Sequence, residues 1–342
     1  MTPLPRRHTA IAAGIMLTLL AIVACQKDLV MWPNYLKSHY KVNFDWADAP
    51  GANPSVMKFI AFPVGGGDMQ EFGFKKMTGG EVDLAAGDYQ SVAFNDDTEN
   101  LLTRGTSWDT FEIYTPETSL SNYSRMFSSR AVPRGNGSED EMIIEEPDML
   151  WTGSAKEMPQ AGNNSNEEVT LHMQPSVYTY HFTITGVANL DFVNEITATI
   201  SGMSGSMFPS NGKASDTHCT IPISVRKIGS QSIECTVRSF GHCPELEDII
   251  DGSSGGSGTT VFGNANHQLV VYARLSDGSK WYYDFDVTGD LHDPDNKKID
   301  EKGETEIDII LDELPFPRPI SEDSGLHPNV EEWNEIEVDI KM

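Results

Sequence analysis

The sequence predicts an all-β protein built as β-sandwiches, and three observations carry that expectation. Short runs of alternating apolar and polar residues recur along nearly the whole chain, the period of strands with one buried face. Turn-forming Gly, Pro, Asn and Asp separate these runs at short spacing, as sandwiches require. No convincing helix exceeds about two turns, Glu245 to Asp251 being the one candidate, and strands do not alternate with helices as in a parallel α/β sheet.

The chain begins with a different kind of segment. Arg6 and Arg7 precede an apolar run of 13 residues, Ile11 to Val23, and small Ala24 stands directly before Cys25. A secretory signal has these parts in this order, and the run is shorter than the roughly 20 residues a membrane-spanning helix needs. Residues 1–24 therefore read as a signal peptide. Ile22-Val-Ala-Cys25 resembles the bacterial lipobox, which implies that Cys25 becomes a lipidated N-terminus. Gln26-Lys27-Asp28 partly resembles the export signal of surface lipoproteins. Cleavage leaves 318 residues, long enough that two domains are expected in place of one.

The first domain is expected over 25–174. Val42, Phe44 and Trp46 alternate with polar neighbours, Asp48-Ala-Pro-Gly51 breaks that strand, and Val56 to Phe62 follows as a second. Val82 to Leu84 and Val92 to Phe94 flank the turn Ala86-Gly-Asp-Tyr89, and Trp108 to Tyr114 alternates again. Residues 116–166 change character, with three arginines and then six acids between Ser138 and Asp148, and read as a solvated acidic loop insertion. Met149-Leu-Trp151 is a short strand candidate within it. Val169 to Met173 closes the domain.

The second domain, 175–342, is more regular. Val177–Ile184, Ile196–Ile200, Thr217–Val225, Ser232–Arg238, Leu269–Leu275, Lys280–Val287 and Thr305–Leu311 all read as strands. Asp277-Gly278 between two such runs is the strongest hairpin signal in the chain. The last stretch places Ile336, Val338, Ile340 and Met342 on one face, with Glu337, Asp339 and Lys341 on the other. One face of so regular a strand must be covered. Either it completes its own sheet or it is lent to a partner, and those four residues are the candidate partner contacts.

The formal charge of the whole chain is −27, and −29 after cleavage. Such a body repels nucleic acid and anionic headgroups, so the membrane is expected to hold it through acyl chains on Cys25. Cys219, Cys235 and Cys243 can close one bridge at most, and the alternation around the first two favours free cysteines packed as small hydrophobes. Gly252-Ser-Ser254-Gly-Gly256 spells a nucleophile elbow without the strand and helix that elbow needs. Asp293, Asp295 and Glu304 have calcium-loop spacing, but Lys297 and Lys298 occupy positions that spoil it. His218, Cys219, Cys235, His242 and Cys243 match no short zinc knuckle, and the nine histidines show no close pair. No enzyme, metal or cofactor is expected.

Six short stretches, in order along the chain, carry a family resemblance. They are Val42-Asn-Phe-Asp-Trp46, Ala86-Gly-Asp-Tyr89 through Phe94-Asn-Asp96, Pro147-Asp-Met-Leu-Trp151, Ile200-Ser-Gly-Met-Ser204, Leu275-Ser-Asp-Gly278 and Asp284-Phe-Asp-Val-Thr288. With the lipobox they resemble Bacteroidales surface lipoproteins related to fimbrial anchor subunits of the FimB and minor-fimbria type. The resemblance implies two tandem transthyretin-like Greek-key sandwiches at the outer membrane, lipid-anchored and surface-exposed. It also implies a part in anchoring or assembling fimbriae by strand exchange, with a stalk subunit as partner. The competing expectation is a surface glycan- or ligand-binding lipoprotein beside a nutrient importer, with Trp32, Trp108, Trp151, Trp281 and Trp333 as a stacking platform.

Overall fold

A computed structural model describes residues 37–128, 132–160, 166–243, 266–319 and 333–335. The signal peptide, Cys25, the export-like cluster, the helix candidate Glu245 to Asp251, Ser254, and Ile336, Val338, Ile340 and Met342 lie outside the described residues. The described chain is nearly all β, as expected.

The first half supplies β1 (Lys37–Asp45), β2 (Met57–Pro63), β3 (Gln70–Phe74), β4 (Gly80–Ala85), β5 (Tyr89–Asn95), β6 (Leu102–Arg104), β7 (Glu112–Tyr114), β8 (Met142–Ile143), β9 (Trp151–Ala155), β10 (Asn166–His172) and β11 (Gln174–Pro175). Three strands in the order β10-β1-β4 face five in the order β11-β9-β5-β2-β3. Tyr40, Val42, Met57, Phe59, Leu84 and Leu171 fill the space between them. β2 reads Met-Lys-Phe-Ile-Ala-Phe, apolar with almost no alternation, because it is covered on both faces. Met57 and Phe59 face the inner core, and Ile60 and Phe62 face the second half.

The second half supplies β12 (Tyr178–Ala188), β13 (Val193–Ser204), β14 (Ser206–Phe208), β15 (Lys213–Ala214), β16 (His218–Ile228), β17 (Ser232–Ser239), β18 (Gln268–Leu275), β19 (Lys280–Asp286), β20 (Lys297–Ile299), β21 (Thr305–Pro315) and β22 (Trp333–Glu335). All but β14 and β15 run in the order β20-β21-β12-β17-β16-β13-β18-β19-β22, and those two pair into a separate sheet ordered β15-β14-β7-β6. β16 turns the corner of this sandwich: His218 to Ser224 pairs with β13, and Val225 to Ile228 with β17. Both of its faces thus close over one core containing Tyr180, Phe182, Ile221, Ile223, Val271 and Phe285. The Asp-Gly hairpin forms where expected. Gly278 takes φ +84, and Asp277 Oδ1 accepts from Ser279 N at 2.9 Å.

Residues 116–166 depart from the expected solvated loop. Leu120, Met126 and Phe127 are buried against Val270 and Tyr272 on the outer face of β18. β8 adds in parallel to β16, and Ile144 enters the second core. The cause is β18 itself: residues 268–273 are all buried, so its second face needs a cover. The few apolar residues of an acidic segment supply it. The run Trp108 to Tyr114 is strand only over β7, because Ser107 O accepts from Thr110 N and Phe111 N and closes a turn.

The halves share an interface. β7 pairs with β14, and Phe62, Phe94, Phe111, Met207 and Phe240 form a common cluster. Glu112 anchors it. Its carboxylate pairs with Arg104 Nε at 2.5 Å and accepts from the Ser206 hydroxyl of the other half. Arg104 is the largest cause holding the Glu112 carboxyl below its ordinary value.

Candidate functional site: the first strand and the sheet edges

β1 is the element that the expected function turns on. Its alternation buries Tyr40, Val42 and Phe44 and leaves Lys37, His39 and Lys41 exposed. Burying a Val or Phe side chain stabilises by roughly 1.5–3 kcal/mol, so the three together form a substantial anchor. One edge is antiparallel to β4, with Tyr40 opposite Val82. The other is parallel to β10, with Val42 opposite Val169 and Phe44 opposite Leu171. Tyr40 Oη donates to Pro159 O at 2.6 Å, and burial pushes its phenol up to about 12. On the solvent face Lys41 reaches Glu168 at 2.9 Å, and His39 reaches Asp83. Gly79, at φ +86, lets the β4 approach close: a Cβ there would stand 2.0 Å from Val42 O. β1 therefore occupies a complete strand site, hydrogen-bonded on both sides.

The other end of the chain meets the second half. β22 lies parallel to β19, Trp333 opposite Lys280 and Glu335 opposite Tyr282. Its start is thus on the protein's own sheet edge, and the four candidate contacts beyond it are outside the described residues. A second edge lies at β21. β12 pairs with it in parallel from Thr305 to Pro315, whereas β20 covers the opposite edge only over Thr305 to Ile307.

The remaining sequence candidates separate in space or lose their chemistry. Asp293 Oδ1 accepts from Asp295 N and caps a short turn, while Glu304 N donates to Asp300 in the next one. Cys219, Cys235 and Cys243 are free and buried. Burial pushes the thiols of Cys219 and Cys235 up to about 12, so neither presents a thiolate. Among the described tryptophans Trp108 is buried and Trp46, Trp151 and Trp281 are half-buried. Trp46 and Trp151 meet edge to face at 76°, which offers a sugar no flat pair. Sequence reasoning missed a cluster of His242, His267 and His292, because each is 25 residues from the next and no local pattern joins them.

A family model described as a domain of unknown function, DUF5119, matches residues 24–224. The chain belongs to the DUF5119 family. That match begins at the residue before Cys25 and spans β1 through most of β16. A Bacteroides ovatus protein provisionally named fimbrium anchoring subunit Fim4B is 22% identical over 231 residues. The match covers 67% of this chain and 64% of that relative's length. The fold is shared with a solved Bacteroides ovatus protein provisionally described as an adhesin: TM-score 0.58, 18% identity, 84% of this chain and 95% of that one. The fimbrial anchor protein Mfa2 from Porphyromonas gingivalis aligns at TM-score 0.46 and 12% identity, over 81% and 90% of the two chains. Among the described residues no helix is long and apolar enough to cross a membrane.

Proposed function

We propose that this chain is a lipid-anchored protein of the outer membrane surface that anchors or assembles fimbriae, joined to a stalk subunit by β-strand complementation. It is a structural and adhesive role, not a catalytic one. The observation that carries the reading is the occupied strand site of β1. A subunit whose own β1 sits between β10 and β4 leaves no gap there for a partner's strand. It joins a fibre by giving a strand instead of receiving one. The provisional name of the Bacteroides ovatus relative supports the same reading. In it, 25–174 and 175–342 are two domains, Cys25 bears the lipid, and Ile336, Val338, Ile340 and Met342 face the partner.

Deleting Trp333–Met342 tests the strand. The expected outcome is a protein that is still exported and folded but no longer crosslinks to a co-encoded β-sandwich subunit on intact cells. A truncated chain that unfolds would assign the strand to the protein's own core. Replacing Cys25 by Ala should abolish incorporation of labelled palmitate and release the protein from the membrane fraction; retention there would remove the lipid anchor from the reading.

A further inference from the structure

One end of the second half gathers three histidines. His242 follows β17, His267 precedes β18, and His292 follows the helical turn Thr288–Leu291 after β19. Their ring centroids are 5.6 Å (His242–His267), 4.8 Å (His242–His292) and 5.1 Å (His267–His292) apart. All three are buried, His267 completely. Each Nδ1 is engaged: His242 with Tyr180 Oη at 3.0 Å, His267 with Ser201 O at 3.2 Å, His292 with Thr288 O at 2.8 Å. A ring that donates Nδ1–H to a carbonyl keeps its lone pair on Nε2, which is where an added proton must land. Nε2 of both His242 and His267 is buried without a hydrogen-bond partner. The backbone makes room for this arrangement: at Gly202, φ +71, a Cβ would stand 2.4 Å from His267 Nδ1.

The surroundings offer a cation little help. His242 feels His267, His292 and Lys297, all unfavourable to a charge on it. His267 feels His292 and His218 against a charge, and Asp286 in favour. Also close by are Tyr180 on β12, the buried Cys243 next to His242, Asp290 on the helical turn, and Glu141, whose carboxylate accepts from Gly202 N at 3.1 and 3.2 Å. Asp290 is itself held above its ordinary value by burial, Asp293 and Asp286. Burial is the largest cause in both rings, and it brings His242 down to about 3 and His267 down to about 4.

We propose that the His242–His267–His292 cluster is an acid-sensitive clasp, which when neutral holds the ends of β17, β18 and β19 together and when protonated lets that end of the second half open. The backbone bonds it closes are specific. Cys243 N donates to Gly202 O at 2.9 Å, Val287 N to His267 O at 2.9 Å, and Ser204 N to Gly241 O at 2.9 Å. An opened clasp exposes ordinary imidazoles that take a proton near pH 6.5, whereas the closed clasp resists until about pH 4. The open form therefore binds more protons across that window, and the closed form loses ground as pH falls through it. Each of the two rings contributes up to about tenfold per pH unit, so the pair contributes up to about a hundredfold.

The test uses the whole folded protein. Amide exchange protection at Cys243, Val287 and Ser204 should fall at least tenfold per pH unit between pH 6.5 and 4.5, while β1 amides keep theirs. Histidine ring resonances of His242 and His267 should stay unmoved in the closed form between pH 6.5 and 4.5. His267→Gln should reduce the slope at the three amides by up to tenfold per unit; should that variant not fold, the ring titration of the natural protein still decides. Rings of His242 and His267 that titrate near pH 6.5 in the folded state would overturn the proposal, as would protection independent of pH. Among the described residues no three His, Cys, Asp or Glu are arranged to hold a metal ion. Protection that rises with micromolar zinc at pH 7 and collapses with chelator would replace the proton clasp by a metal site.

Discussion

β1 and β12 are the same element used twice. Each is the first described strand of its half, each lies antiparallel to one neighbour, and each lies parallel to a late strand on the other side. Tyr40, Val42 and Phe44 do in the first half what Tyr180, Phe182 and Ile184 do in the second. The difference lies in what surrounds them. β1 is the middle of three strands, so its removal leaves β10 and β4 without their shared partner, whereas β12 sits within a much longer strand order. Similar packing thus serves a small sheet that depends on one strand and a large one that spreads its pairing over many.

The comparison can be broken at several points. Deleting Lys37–Asp45 should have the largest effect. The three-stranded sheet loses its centre, the first half no longer folds, and a synthetic peptide of that sequence should restore it in trans. A stable folded monomer without β1, seen by circular dichroism and thermal melting, would show that the strand site is not needed for folding.

Core truncations come next. Phe182→Ala should cost about 3–5 kcal/mol by denaturant unfolding, and Phe44→Ala should sit at the low end of that range, since its ring keeps some exposure. A Phe44→Ala cost well above that of Phe182→Ala would reverse the ranking of the two strands.

Glu112 tests whether the halves melt as one. Its carboxyl is held below its ordinary 4.5, chiefly by Arg104, so it stabilises the fold above that value and loses the contribution as pH falls through its lower folded value. Arg104 is more than half exposed, which limits the effect of Glu112→Gln to about 1 kcal/mol. The substitution should flatten the acid side of the stability profile and split one calorimetric transition toward two. Lys41→Ala should do least. Its pair with Glu168 is open to solvent on both sides, and the melting midpoint should not move measurably.

Much of the architecture was legible because burial writes itself into alternation. The strands around Val42, Phe182, Ile221, Cys235 and Phe285 lie where their periodicity places them, and Asp277-Gly278 forms its hairpin. Residues 116–166 were misleading because their charge density hides a handful of apolar residues, and nothing local says that β18 needs a second cover. The short strands β6, β14 and β15 carry too few residues for a period. The candidate site was less legible than the fold. The alternation of β1 is plain, but its parallel pairing with β10, more than a hundred residues away, has no sequence signature.

By itself, then, the sequence determined an all-β chain with a strongly acidic charge balance and a plainly alternating strand around Val42, since each follows from composition or from a two-residue period. Only the tertiary structure decided that β1 fills a complete strand site, that the acidic segment packs against the second half, that the cysteines are free, and that three distant histidines meet in a buried corner. Those outcomes depend on which faces remain uncovered once the sheets have formed, and that is a property of the assembled surfaces, which no local window contains.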